Sequence, residues 1–595
     1  MGEAVRSRAG ILAVALVVSA GVRAAEIPDP VVQALEPELS RNLAKLLLPD
    51  QPRPYWFAFS EMAMENLNID SRLGDLVQDD FSRFHFLQAR IRVGSTVMDN
   101  TNFLGYGDGG NVRMTTGEDT PRPIVRDAWL AADGAYKHAV AALAAKTAAL
   151  KREQQEDRAP DFSPAAPAEV WEDPAVLSEA DRATLRDLAR KASAAFRAFP
   201  AVQRGDVRIG ARVATFRYVD TETFRYRAAQ RSVRVLITAD TQAADGTPLQ
   251  DIASVMAPSA STLPKADALA AAVRALGERL SRRVTAEGLK DPYLGPVLFT
   301  ASAAAEFIRQ TMAGELVGTP SPVAAEDYMK ASVKGGLLTK FLDLRILPEW
   351  MDVVDDPSRP AWGGTWLCGG YAVDREGVLG RRVDLVREGR LVGFLMSRAP
   401  SDKFKESNGH GRIVAGNMVR AAPSNLIFTT RKAASEKALV DRLLKMARAD
   451  GLPYAIIVRH LNEPPTGEGG PRRITMGTGR EDPSEAPSRW GIAPALDVVR
   501  IDVKTRVETP LRGAIFGPIG VAELRTIVAA GEDSAVYSFI IPPEMVGVYQ
   551  WPAEDVPASI VAPSLLFSQL EVRPTAKKRV PLPFLVNPLF AKGAP

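Results

Sequence analysis

One cysteine and four histidines in 595 residues set the first limits on this chain. The lone thiol, Cys368, cannot close a disulfide within the chain, so no covalent framework holds the fold. Four imidazoles leave few ligands for a metal centre and few groups for acid–base work near neutral pH. Aromatic residues make up only 7% and do not interleave with a basic stripe, and the net charge of +3 is near balance. Both observations argue against nucleic-acid binding. Long apolar runs are missing as well, the longest candidate, 10–21, being too short to span a bilayer. A chain of this length exceeds what one hydrophobic core supports, so two or more domains are expected.

The run 10–21 reads instead as the apolar core of a secretory signal. Arg6 and Arg8 precede it and small residues follow, with cleavage expected after Ala24 or Ala25. An uncleaved anchor is the alternative. The expected product is periplasmic or secreted, from a bacterium. In that setting Cys368, between Leu367 and Gly369, reads as a buried small hydrophobe.

Periodicity predicts an α+β region over 26–290 after a signal peptide at 1–25. Helices are expected at 28–48, 127–152, 178–199 and 263–287, with Ser178 as N-cap and Asp181 at the capping-box position. The stretch 55–102 is strand-rich, and two alternating runs, 207–218 and 224–239, lead into a turn at 244–246. The Pro-, Asp- and Glu-rich stretch 153–174 reads as a linker or exposed excursion. From 291 to 595 strands dominate, interrupted by helices at 301–316, 435–449 and 521–530 and by a Gly/Pro-rich loop over 462–485.

Within that second region, residues 382–387 and 390–395 are two apolar runs separated by Glu388–Gly389, a strong hairpin signal. Val353–Pro357 and Tyr371–Gly380 lie upstream, and Ser407-Asn-Gly-His-Gly-Arg412 follows. Together with the closing segments 506–513, 557–566 and 570–573, this block resembles the TldD/PmbA family, whose catalytic members are zinc peptidases. The resemblance spans roughly 55–588 and is densest after Asp352. It implies a β-rich C-terminal domain, and a dimer that encloses a cavity admitting extended, unfolded peptides. In the catalytic members a His-Glu-x-x-x-His helix precedes the hairpin and supplies zinc ligands and a general base. The matching helix here is 301–316. Arg309 falls at the first His, Gln310 at the Glu and Gly314 at the second His. A guanidinium offers no lone pair, a carboxamide is no general base and glycine has no side chain. No cofactor is therefore predicted for this chain.

The remaining histidines divide by setting. His85, between two phenylalanines, reads as a satisfied strand residue, and His138 as a solvated helix residue. His410, between two glycines, is either a contact for a bound peptide backbone, with Asn408 and Arg412, or an exposed loop histidine. His460 and Glu463 have a ligand-compatible spacing, and with His410 they form the alternative metal set. The leading reading is a non-catalytic, TldE-like peptide-binding subunit, forming a homodimer or pairing with a zinc-motif-bearing homologue. The alternatives are a metallopeptidase with an unconventional site and a cell-envelope structural protein.

Overall fold

The computed structural model of the chain describes residues 28–105, 111–115, 121–153, 158–326, 336–415, 418–462, 492–541 and 555–574. The signal-like segment 1–25, Glu463 and nearly all of the Gly/Pro-rich stretch 462–485 lie outside them.

Local sequence decides the first elements. Helix α1 (Pro30–Lys45) starts where Asp29 accepts hydrogen bonds from the Val31 and Val32 amides at 3.0 and 3.1 Å, with Pro30 at the first helical position. Strands β1 (Pro54–Arg72) and β2 (Asp75–Val93) form one long hairpin, turned by Leu73 and Gly74, both at positive φ. After α2 (Pro121–Glu153), helix α3 (Glu179–Ser193) begins at the expected Ser178–Asp181 capping box. Strands β3 (Arg204–Asp220), β4 (Arg225–Gln242) and β5 (Pro248–Ala257) complete an antiparallel run β2-β1-β3-β4-β5, followed by α4 (Ala266–Val284). Alternation along β1 sorts the two faces. Odd-numbered Phe57, Phe59, Leu67 and Ile69 pack under the helices, and even-numbered Trp56, Ala58, Met62 and Met64 cluster with Val373 and Val378 of the C-terminal half.

The C-terminal half stacks two sheets around a buried helix. Its chain order is β6 (Tyr293–Phe299), α5 (Ala301–Thr311), β7 (Met351–Asp355), β8 (Val383–Arg387), β9 (Arg390–Leu391), β10 (Gly411–Ala415), β11 (Met418–Ala421) and β12 (Asn425–Thr430). Then come α6 (Glu436–Ala449), β13 (Tyr454–Leu461), β14 (Ala495–Asp502), β15 (Glu508–Arg512), β16 (Ile527–Gly531), β17 (Ala535–Ile541), β18 (Val556–Ala562) and β19 (Leu565–Pro574). The larger sheet runs β16-β19-β6-β13-β14-β15, the smaller β9-β8-β7-β12-β18-β17. Helix α5 packs against β13 of one and β17 and β18 of the other. It is apolar nearly all round, and Phe307 meets the rings of Phe299 and Phe567 at 5.1 and 5.3 Å.

Three expectations are corrected here. The described part of 153–174 is exposed only in part: Asp161, Phe162 and Ser163 are buried, and Glu169–Trp171 joins the first sheet beside β4. Buried Lys146 draws Asp161 inward, with Nζ 2.6 Å from its carboxylate. The helix at 521–530 stops at Leu524, and the β-branched run that follows becomes β16. The motif helix itself ends at Thr311, so Gly314 lies in a separate turn. No described helix is long and apolar enough to cross a membrane.

Candidate functional site

The end of α5 carries the positions where the resemblance would place zinc ligands. Arg309 lies with its guanidinium carbon 4.7 Å from the centre of the Phe539 ring on β17. Gln310 is consumed by backbone: its Nε2 donates to the Asn462 carbonyl at 3.0 Å and its Oε1 accepts from the Ala493 amide at 2.6 Å. One carboxamide thereby joins the end of β13 to the approach to β14. Gly314 is exposed and off the helix, so positions 309 and 314 do not share one helical face. Zinc does not fit this donor set.

One turn earlier on α5 sits Glu306, a residue that motif matching passed over. It is buried, its Oε1 lies 2.6 Å from Nδ1 of His460, and its Oε2 accepts from the Leu461 amide at 2.6 Å. The other ring nitrogen of His460 donates to the Ile252 carbonyl on β5 at 2.7 Å. Burial alone would lower the imidazole pKa, but the Glu306 carboxylate outweighs it and raises the value to about 9. The sequence signal for this pair was a carboxylate on the motif helix, with nothing in spacing to link it to residue 460.

The Gly-His-Gly loop forms a second buried constellation. His410 is fully buried, which removes the exposed-loop alternative. Its Nε2 lies 3.0 Å from Oδ1 of Asp355, and its Nδ1 lies 3.1 Å from the Asn408 carbonyl and 3.0 Å from Asn408 Oδ1. Burial would raise the Asp355 carboxyl, but hydrogen bonds from His410 and from the Ser424 amide and hydroxyl hold it below the ordinary value. Asp355 thus stands between His410 and Ser424, an order that activates no nucleophile. Asn408 accepts from the Met396 amide and donates to the Phe394 carbonyl, at 2.8 and 2.9 Å. Arg412 donates to the carbonyls of Pro423 and Pro557 and lies over Tyr371.

The flanking glycines admit the protein's own chain. A Cβ on Gly409, which has φ +77°, would stand 2.1 Å from the Leu379 carbonyl oxygen. One on Gly411 would stand 2.7 Å from a Glu376 carboxylate oxygen. Asp374, beside it, is pushed up to about 7, first by burial and then by the Glu376 charge.

The alternative metal set is not assembled. Both nitrogens of His410 and of His460 face protein acceptors in two separate networks, and Glu463 lies outside the described residues. Cys368 is buried, His85 is buried 3.1 Å from Glu61, and His138 is exposed, each as its flanking sequence suggests. The outer face of the smaller sheet holds a shallow groove of about 370 Å³ with Asp352, Asp356, Trp362, Asp384 and Arg431 in its wall.

Residues 294–450, which contain α5, the hairpin and the His410 loop, match the family described as PmbA/TldA metallopeptidase C-terminal domain. This segment therefore carries a domain of the kind found in TldD/PmbA proteins. Similar solved structures agree on the fold. A candidate modulator of DNA gyrase from Thermotoga maritima superposes with a TM-score of 0.54 at 14% identity, covering 87% of this chain and 96% of its own. TldE from Thermococcus kodakarensis gives 0.53 at 12% identity, covering 91% and 100%. A candidate DNA gyrase modulator from Bacteroides thetaiotaomicron gives 0.51 at 11%, covering 91% and 98%. No curated protein matches the sequence. Within this TldD/PmbA fold the hairpin turn at Glu388–Gly389 takes positive φ at both residues, 51° and 71°, as its sequence requires.

Proposed function

We propose that this protein is a non-catalytic, TldE-like member of the TldD/PmbA family, which binds extended peptides or serves as the partner of a zinc-motif-bearing homologue. The observation that carries this reading is the end of α5. Where catalytic members would need two imidazoles and a carboxylate, this chain has an arginine on an aromatic ring, a carboxamide bound to two backbone groups, and a glycine off the helix. The TldE likeness supports it at the level of fold. The signal-like N-terminus supports a periplasmic or secreted setting, and the family resemblance supports a homodimer or heterodimer.

In this reading His410, Asn408 and Arg412 act on peptides indirectly. Their polar atoms brace the family-typical loop 407–412. Purification of the tagged protein from its native cell envelope tests the partnership. Recovery of a His-Glu-x-x-x-His-bearing homologue at equal stoichiometry is expected for a heterodimer, and binding of unfolded peptides by the isolated protein for a homodimer. Peptide hydrolysis by the isolated protein would refute the non-catalytic assignment.

A further inference from the structure

Among the described residues, Arg309 has no carboxylate partner. Its Nη1 is buried and has no hydrogen-bond partner, and its one described interaction is the Phe539 ring 4.7 Å away. The two acidic side chains nearest along the chain are committed elsewhere. Glu306 holds His460 and the Leu461 amide, and Glu315 accepts from the Leu337 amide at 2.8 Å. A position in the last turn of α5 suits a cation, but the helix dipole offers only about half a charge and no acceptor for a buried N–H. Leaving a charged donor unpaired costs more than its removal would, so the fold has retained a group whose partner it does not itself supply among the described residues.

The surroundings point to what that partner is. Phe539 stacks on Tyr537 with 5.7 Å between centroids, so the guanidinium ends an aromatic platform on β17. Beyond the helix, no described atom lies within 4 Å of a Cβ built on exposed Gly314. We propose that Arg309 receives a carboxylate of a bound peptide, either its C-terminal group or an acidic side chain. The position where the family resemblance places a cation would then bind an anion. Arginine suits this task because its planar fork matches a carboxylate in two parallel hydrogen bonds. This inference rests on the peptide-binding reading above and names its ligand class.

The test measures binding of the full chain to fluorescent peptides of one apolar sequence, made with a free C-terminal carboxylate, with a C-terminal amide, and with an amide plus one internal Glu. The free acid is expected to bind on the order of tenfold tighter than the amide. Arg309→Gln abolishes the difference between acid and amide, and Arg309→Lys retains part of it. If the internal Glu restores the lost affinity, the carboxylate comes from a side chain; if it does not, it comes from the chain end. Equal binding of all three peptides to the wild-type protein overturns the carboxylate role and leaves peptide binding standing. Failure to bind any of them overturns both. Melting temperatures of the variants guard against misfolding, and the acid-to-amide ratio of the wild-type protein decides the matter even where a variant does not fold.

Discussion

Nδ1 of His460 lies 2.6 Å from Oε1 of Glu306, and through this contact strand β13 is bonded to the helix that would carry the family's zinc motif. The same imidazole reaches the Ile252 carbonyl on β5, so one ring ties the two halves of the chain together. Its pKa of about 9 stands above an ordinary histidine value of 6.5. A raised folded pKa means that the stabilisation is fully present below pH 6.5 and is lost as pH rises through about 9. His460→Gln is therefore expected to melt below the wild-type protein at pH 6, with the gap closing between pH 7 and 9.5. A gap independent of pH would show that the ion pair contributes no charge-linked stability.

His410→Ala is expected to act on stability first. It leaves the Asp355 carboxylate buried with Ser424 as its remaining side-chain partner, and a buried group that loses a hydrogen-bond partner costs about 1–3 kcal/mol. Denaturant unfolding measures this. A variant as stable as the wild-type protein but impaired in peptide binding would restore the loop to direct contact with ligand.

Gln310→Glu, which restores one residue of the catalytic motif, is expected to destabilise. Nε2 of Gln310 donates to the Asn462 carbonyl, and a carboxylate there would face an oxygen. The loss is about 1–3 kcal/mol, larger at pH 8 than at pH 4 because only the ionised form repels. Equal unfolding midpoints for variant and wild type at both pH values would contradict the bracing role of residue 310.

Gly389→Ala is expected to cost about 2 kcal/mol or more. The residue has φ +71°, and its added Cβ would stand 2.2 Å from the Leu347 carbonyl oxygen. Retained thermal stability in that variant would mean that the turn relaxes readily.

These four sites differ in how far the sequence revealed them. Turn chemistry is local, so the Glu388–Gly389 hairpin and the Ser178–Asp181 cap were legible from a few residues. The apolar side chains of α5, Phe307 and Ile308 among them, lie in the core. Partners distant along the chain were not legible. Asp355 and His410 are 55 residues apart, and His460 meets Glu306 across two elements. Polar composition also misled at 153–174, because one buried lysine, Lys146, supplies the charge that lets Asp161 enter the core. Flanking glycines signalled close approach of a backbone at His410, but that backbone is the protein's own at Leu379.

Zinc content of the purified full-length protein, measured by mass spectrometry after dialysis against a weak chelator, bears most directly on the central claim. The account predicts far less than one zinc per chain, unchanged by His410→Ala or His460→Ala. One zinc per chain that either substitution abolishes would contradict it.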